Sequence, residues 1–265
     1  MYALGQLFDI TDKRELSILA RMGSGSAIRS IFGGFVQWIA GTDSETSIAK
    51  QIVDHKYWPE MRVLILVVSD KQKETASTAG MQNSVKTSAL INHRATVVVP
   101  ERIKSITQAI LEKDFNKFAE ITMRDSNQFH AIAQDTWPPI QYMNDVSWQV
   151  VRLVHSYNAF YGKNKVAYTF DAGPNACLYL LDDNLPEFFT LVNHYFQNQS
   201  VNDYIRGRSS PPKVDISADL QKALDARSHT IRQNALSYII NTTIGDGPQV
   251  LNESDSLLNS NGLPK

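Results

Sequence analysis

The sequence holds a single cysteine, Cys177, so it forms no internal disulfide and fits a reducing compartment. It has almost no net charge: 26 Lys and Arg stand against 27 Asp and Glu, leaving −1 at pH 7. No broad field draws it to nucleic acid or to an anionic membrane, so its selectivity must be local. No apolar run approaches the length of a membrane span; the longest, residues 63–68, is strand-sized. The N-terminus lacks a basic region leading into an apolar block, as a secretory signal would have. These absences predict a soluble, cytoplasmic protein without nucleic-acid or membrane partners.

Several chemistries lack their residues as well. The six histidines (His55, His93, His130, His155, His194, His229) are scattered without metal-ligand spacing, and each reads as surface or satisfied core rather than a zinc ligand. Gly23-x-Gly25 fails the dinucleotide fingerprint because Ile28 stands where its third glycine belongs. There is no Gly-x-Ser-x-Gly elbow and no Gly-Lys-Ser/Thr phosphate loop. Asp182-Asp183, after an apolar run, reads as a solvated turn.

What is present begins at Gly23-Ser24-Gly25-Ser26-Ala27-Ile28-Arg29-Ser30. Glycines let backbone N–H groups approach an anion, serines add short donors, and Arg29 adds a planar fork for a carboxylate or phosphate. A helix turn opening near Ser26 would aim further N–H groups the same way. Gly/Ser runs are commonly linkers, but this one is short and holds Arg29 among apolar neighbours. It reads as the floor of a site for a small, doubly anionic molecule.

At 265 residues and 43% apolar content, the chain can bury one large or two small cores. Residues 1–8 read as the end of a helix, and Thr11 or Asp12 caps a second. Strand patterns follow at 35–39 and 61–68, with a short helix expected at 47–53 between them. The small, hydroxyl-rich stretch 73–81 leads into a helix. Pro100 and Asp114 open two more, the second ended by Trp137-Pro138-Pro139. A long amphipathic helix spans about 144–161 and stops at Gly162. Strands at 165–171 and 176–181 flank a Gly-Pro-Asn turn. A helix at 185–196, a polar linker candidate at 197–216, a short helix at 219–226 and a strand at 236–244 complete an α+β pattern.

The strand at 165–171 ends in Asp171, where a carboxylate is costly unless partnered. Either it orients or deprotonates a substrate hydroxyl, or it merely caps the turn by bonding the N–H of Gly173 or Asn175.

The sequence closely resembles the mevalonate diphosphate decarboxylase family of the GHMP small-molecule kinase superfamily. The resemblance rests on segments in order along the whole chain: 21–30, Trp58-Pro59-Glu60 through Ile65, Ser77-Thr78-Ala79-Gly80-Met81, Asp125-Ser126-Asn127-Gln128-Phe129-His130, Val166 through Asn175, and Gly262-Leu263-Pro264-Lys265. It implies ATP-dependent decarboxylation of mevalonate 5-diphosphate to isopentenyl diphosphate, a step of isoprenoid and sterol synthesis. ATP phosphorylates the tertiary hydroxyl, and phosphate then leaves as CO2 is lost. By resemblance Ser24, Gly25, Ser26, Ala27, Ile28 and Arg29 contact substrate, with Arg29 on the carboxylate. Ser77 and Thr78 line the same pocket, and Asp171 lies at the 3-hydroxyl, converging with Arg29. ATP with Mg2+ and a homodimeric assembly are likewise implied.

The implied fold joins a ribosomal-S5-domain-2-like N-terminal domain to a ferredoxin-like C-terminal one. It assigns 1–60 to a remnant of the first, 61–208 to the second, 209–235 to a polar linker and 236–265 to a terminal strand and tail. The family's lysine- and tyrosine-bearing opening strand and its Pro-x-x-x-Gly-Leu-x-Ser-Ser-Ala loop are not in these residues. The resemblance therefore implies a truncated chain with little decarboxylase activity alone, leaving Phe32, Phe35 and Trp38 partly uncovered. The other readings are a non-catalytic subunit that dimerises with a full-length enzyme, or a related kinase acting on mevalonate or its phosphate.

Overall fold

The computed structural model describes the chain except residues 69–75, 197–202, 228 and 233. Lys73-Glu74-Thr75 of the hydroxyl-rich stretch and residues 197–202 of the linker candidate thus lie outside the described residues. The fold mixes helices and sheets in two compact units, Met1–Pro59 with Ile244–Lys265, and Glu60–Thr243.

In the first unit, α1 (Tyr2–Leu7) precedes α2 (Lys13–Gly23), which Asp12 caps through the Arg14 N–H. Leu16 and Ala20 of α2 join Ile31 in a buried cluster, with Tyr2, Ile10, Ala27 and Phe32 packed around it. A 3-10 helix, Gly25–Ile31, then leads to the antiparallel pair β1 (Phe35–Trp38) and β2 (Ala49–Val53). The helix expected at 47–53 is therefore a strand. Its Ile52-Val53 end is β-branched, and the turn before it is closed by Asp43, whose carboxylate accepts the N–H groups of Glu45 and Thr46.

Residues 244–265, expected to form one tail with the strand before them, return to this first unit. Gly34 N–H donates to the Gly245 carbonyl at 2.8 Å. A Cβ at Gly33 would lie 2.4 Å from the Asp246 carbonyl, so only glycine lets the two backbones meet.

The second unit is built on β3 (Met61–Val67), whose continuous apolar run makes it a central strand. The helices that follow are α3 (Ser77–Thr87), α4 (Leu90–His93), α5 (Val99–Glu112), α6 (Phe115–Asp135) and α7 (Asp145–Phe160). One π-helical turn, Arg94–Val98, joins α4 to α5, so the helix expected at Pro100 begins upstream. Asp114 caps α6 through the Lys117 N–H, and Asn144 with Ser147 forms a capping box for α7, each worth about 1 kcal/mol.

Strands β4 (Val166–Phe170) and β5 (Ala176–Leu181) follow, then α8 (Leu185–Phe196), β6 (Ile205–Gly207), α9 (Ala218–Asp225) and β7 (Tyr238–Thr243). The sheet order is β4-β5-β3-β7-β6, antiparallel except for β6 beside β7. Of the two stretches expected as linkers, 197–216 holds β6 and 209–235 holds α9, and both elements belong to the second unit. Leu64, Leu66, Tyr168, Leu178 and Leu180 are all fully buried, and burying each large side chain stabilises by about 1.5–3 kcal/mol. Asp182 is not simply solvated: it pairs with Arg62 of β3, whose Nη2 donates at 2.9 Å.

Candidate functional site

In the first unit, α2 runs straight into the Gly-Ser segment, and the 3-10 helix lifts Arg29 away from the core. Ser24, Ser26, Arg29 and Ser30 are exposed. None of their side chains has a hydrogen bond or ion pair among the described residues. Ile28 points the other way, fully buried, so of the predicted contacts it offers a ligand only backbone. Ala27 packs against the Leu16–Ile31 cluster.

A Cβ at Gly25 would lie 3.2 Å from Cη2 of Trp38, whose Nε1 donates to Ser47 Oγ at 3.0 Å. The hairpin thus holds an indole against the segment, with glycine giving it room. Behind it, Arg21 donates to the carbonyl and hydroxyl of Ser44. The result is a braced loop presenting one free guanidinium and several free hydroxyls.

In the second unit, Asp171 follows the last residue of β4. It is exposed, which removes the desolvation cost expected from its apolar strand. Its side chain has no hydrogen bond or ion pair among the described residues. The turn is closed by main chain: Gly173 N–H donates to the Asp171 carbonyl at 2.8 Å. Asn175 Oδ1 accepts the Val68 N–H at 2.9 Å, and the Ser147 hydroxyl donates to the Pro174 carbonyl at 2.9 Å. A carboxylate left free on a turn fixed from several sides is available to a ligand.

Its charge is felt nearby. Burial lowers the pKa of His130, against the opposing Phe170 carbonyl and Asp171 charge. Burial raises the Tyr142 pKa, and Asp171 adds to the effect. The Cys177 thiol is pushed up by burial and further by Asp171, against a hydrogen bond from Tyr179.

The segment 125–130 on α6 forms a two-sided bracket. Asp125 and Gln128 accept from Arg94 and Arg102. Toward the sheet, Ser126 Oγ accepts the Phe170 N–H at 3.0 Å, Asn127 Oδ1 accepts the Tyr168 hydroxyl at 3.0 Å, and His130 Nε2 meets the Phe170 carbonyl at 3.3 Å. Sequence reasoning gave these residues no role, although Ser126 and His130 are spaced to share a helix face. Ser77 and Thr78 start α3, Ser77 half-buried and Thr78 exposed. A separate groove of about 370 Å³ runs beside α3, lined by residues that include Gly80, Asn83, Lys86 and Pro138; none of the predicted site residues lines it.

Residues 63–251 match the model of the mevalonate 5-diphosphate decarboxylase C-terminal domain, and residues 1–49 match that of the diphosphomevalonate decarboxylase-like N-terminal domain. The chain belongs to the mevalonate diphosphate decarboxylase family. A diphosphomevalonate decarboxylase of Danio rerio is 48% identical over 269 residues, which take in 100% of this chain and 66% of that protein. A crystal structure of mevalonate 5-diphosphate decarboxylase superposes with a TM-score of 0.82 at 40% identity, covering 99% of this chain and 68% of its own. A further family structure, in complex with MVAPP, AMPPCP and magnesium, reaches a TM-score of 0.64 at 34% identity over 69% of this chain and 55% of its own. The chain thus spans just under two thirds of the zebrafish relative.

Proposed function

We propose that this chain recognises mevalonate 5-diphosphate and takes part in its ATP-dependent conversion to isopentenyl diphosphate, CO2 and phosphate. The observation that carries the reading is the free, exposed Arg29 guanidinium among unpaired serine hydroxyls, in a chain 48% identical to a relative of that name.

In this reading Arg29 forms a two-pronged contact with the substrate carboxylate, and Ser24, Ser26 and Thr78 offer donors to its oxygens. Gly25, Ala27, Ile28 and Ser77 shape the surroundings through backbone and small side chains. Asp171 receives the 3-hydroxyl and orients it for transfer of the γ-phosphoryl group of ATP. The hydroxyl proton passes to the carboxylate as the new O–P bond forms, though such transfer needs little proton removal in advance. The C–O bond then breaks with its electron pair leaving on phosphate. The C–C bond to the carboxylate breaks in turn, and its pair becomes the new double bond as CO2 departs. A guanidinium held equally tightly throughout would stabilise the carboxylate against leaving, so Arg29 positions rather than drives.

Among the described residues no three His, Cys, Asp or Glu side chains cluster as ligands for a metal ion. The described residues do not by themselves build a magnesium cage. The complex of a family member with AMPPCP and magnesium supports ATP with Mg2+ as co-substrate. A homodimeric, cytoplasmic protein completes the reading by family resemblance, and light scattering measures the assembly.

Incubating the chain with ATP and mevalonate 5-diphosphate and following CO2, phosphate and ADP tests the reaction. Equal CO2 and phosphate supports it; ADP without CO2 assigns a kinase instead. Calorimetric binding of the substrate tests recognition when turnover is slow. Absence of both overturns the reading.

A further inference from the structure

We propose that Ser126 and His130 are positioning residues for Asp171, holding the base of its carboxylate in a fixed direction. The proposal rests on the reading above that Asp171 meets the substrate hydroxyl. The two side chains stand four residues apart on α6 and so share one face. They take both backbone polar groups of a single residue: the Phe170 N–H goes to Ser126 Oγ, and the Phe170 carbonyl to His130 Nε2. Phe170 immediately precedes Asp171. Its main chain is thus gripped by a helix on one side while β5 pairs it, at Ala176, on the other.

Simple packing does not call for this pair. Ser126 is 4% exposed and His130 5%, and burying either without a partner costs free energy that an apolar residue would not. A carbonyl can only accept, so the bond requires the tautomer with its proton on Nε2. Burial lowers the pKa of the ring below its ordinary value, which favours the neutral form that has this tautomer. Tyr142, edge-on at 6.4 Å, and Phe170 at 6.2 Å confine the ring.

Beyond Phe170, the chain is tied again at Asp171 and Pro174 through their carbonyls. Asp171 is therefore an exposed carboxylate between anchored neighbours. A catalytic group displaced by about 1 Å loses on the order of a hundredfold in rate, which is the scale on which such anchoring matters.

The test uses the full chain with Ser126→Ala, His130→Leu and the donor-keeping His130→Gln, whose folding is checked by circular dichroism. Amide hydrogen exchange across residues 170–173 should quicken at least tenfold in Ser126→Ala and His130→Leu, while β3 and β7 stay as slow as in the parent. In turnover of mevalonate 5-diphosphate, kcat should fall at least tenfold with KM within threefold, and His130→Gln should return both to within threefold of the parent. Unchanged exchange, a change in KM rather than kcat, or a His130→Gln as impaired as His130→Leu overturns the proposal. A parent chain with neither turnover nor substrate binding fails the functional reading in its own control. The exchange result, together with its rescue by His130→Gln, then decides the anchoring by itself.

Discussion

The backbone of Asp246 lies so close to Gly33 that a methyl group on Gly33 would stand 2.4 Å from the Asp246 carbonyl. The obstacle is main chain, which cannot swing aside like the end of a side chain. Gly33→Ala should therefore destabilise the first unit by about 1–3 kcal/mol, the usual cost of overpacking, read as a lower urea midpoint. Gly23→Ala is the control, because nothing lies within 4 Å of a Cβ there; its midpoint should be unchanged or slightly higher.

The free side chains of the candidate site predict a separation of stability from function. Arg29 and Asp171 are exposed, and their side chains make no hydrogen bond or ion pair among the described residues. Arg29→Gln and Asp171→Asn should each leave unfolding free energy within about 0.5 kcal/mol of the parent, as surface changes do. Thermal melts check this, and a loss of several degrees in either variant would mean a structural role.

Acid should weaken the fold in a defined window. Burial lowers the pKa of His130, His155 and His229, the last with help from Arg152 and Arg227. In the unfolded chain these rings take up protons near pH 6.5, so below that value the unfolded state binds more protons than the folded one. Their contribution is fully present above about pH 6.5, declines as pH falls toward the folded pKa values, and levels off below them. Urea unfolding at pH 7.5, 6.5 and 5.5 should show the decline, and His130→Gln should reduce its slope.

A second, more acidic window belongs to Asp125. Desolvation alone would raise its pKa, but hydrogen bonds and charge from Arg94 and Arg102 outweigh it and bring the pKa below the usual value. The pair with both arginines therefore stabilises above about pH 4 and is lost as pH drops through the folded pKa. Asp125→Asn should lower the urea midpoint at pH 7 and remove part of the loss seen below pH 4. The size of the effect is limited because the carboxylate is 41% exposed.

Much of this architecture is legible in the residues. The apolar run of β3, the Asp114 cap, the amphipathic period of α7 and the Gly-Pro-Asn turn carry local signals strong enough to place their elements. The strand at 49–53 was not legible, because its hydrogen-bond partner is β1 and its sequence, Ala-Lys-Gln-Ile-Val, has a helix-tolerant beginning. Strand β6 is three residues long and hidden in a polar stretch, so no period could reveal it. Arg29 and Asp171 stood out by chemistry against their neighbours. Ser126 and His130 did not, since a buried serine and histidine on an amphipathic helix look like ordinary packing until the strand they grip is known.

The central claim to test is that Arg29 reads the substrate carboxylate. Calorimetry with mevalonate 5-diphosphate and with isopentenyl diphosphate, which lacks that carboxylate, asks this directly of the chain and of Arg29→Gln. A charged hydrogen-bonded contact of about 1.5–3 kcal/mol predicts roughly a ten- to hundredfold preference for mevalonate 5-diphosphate, and Arg29→Gln should abolish most of it. Equal affinity for the two ligands in the parent chain, or a preference that survives in Arg29→Gln, would contradict the account.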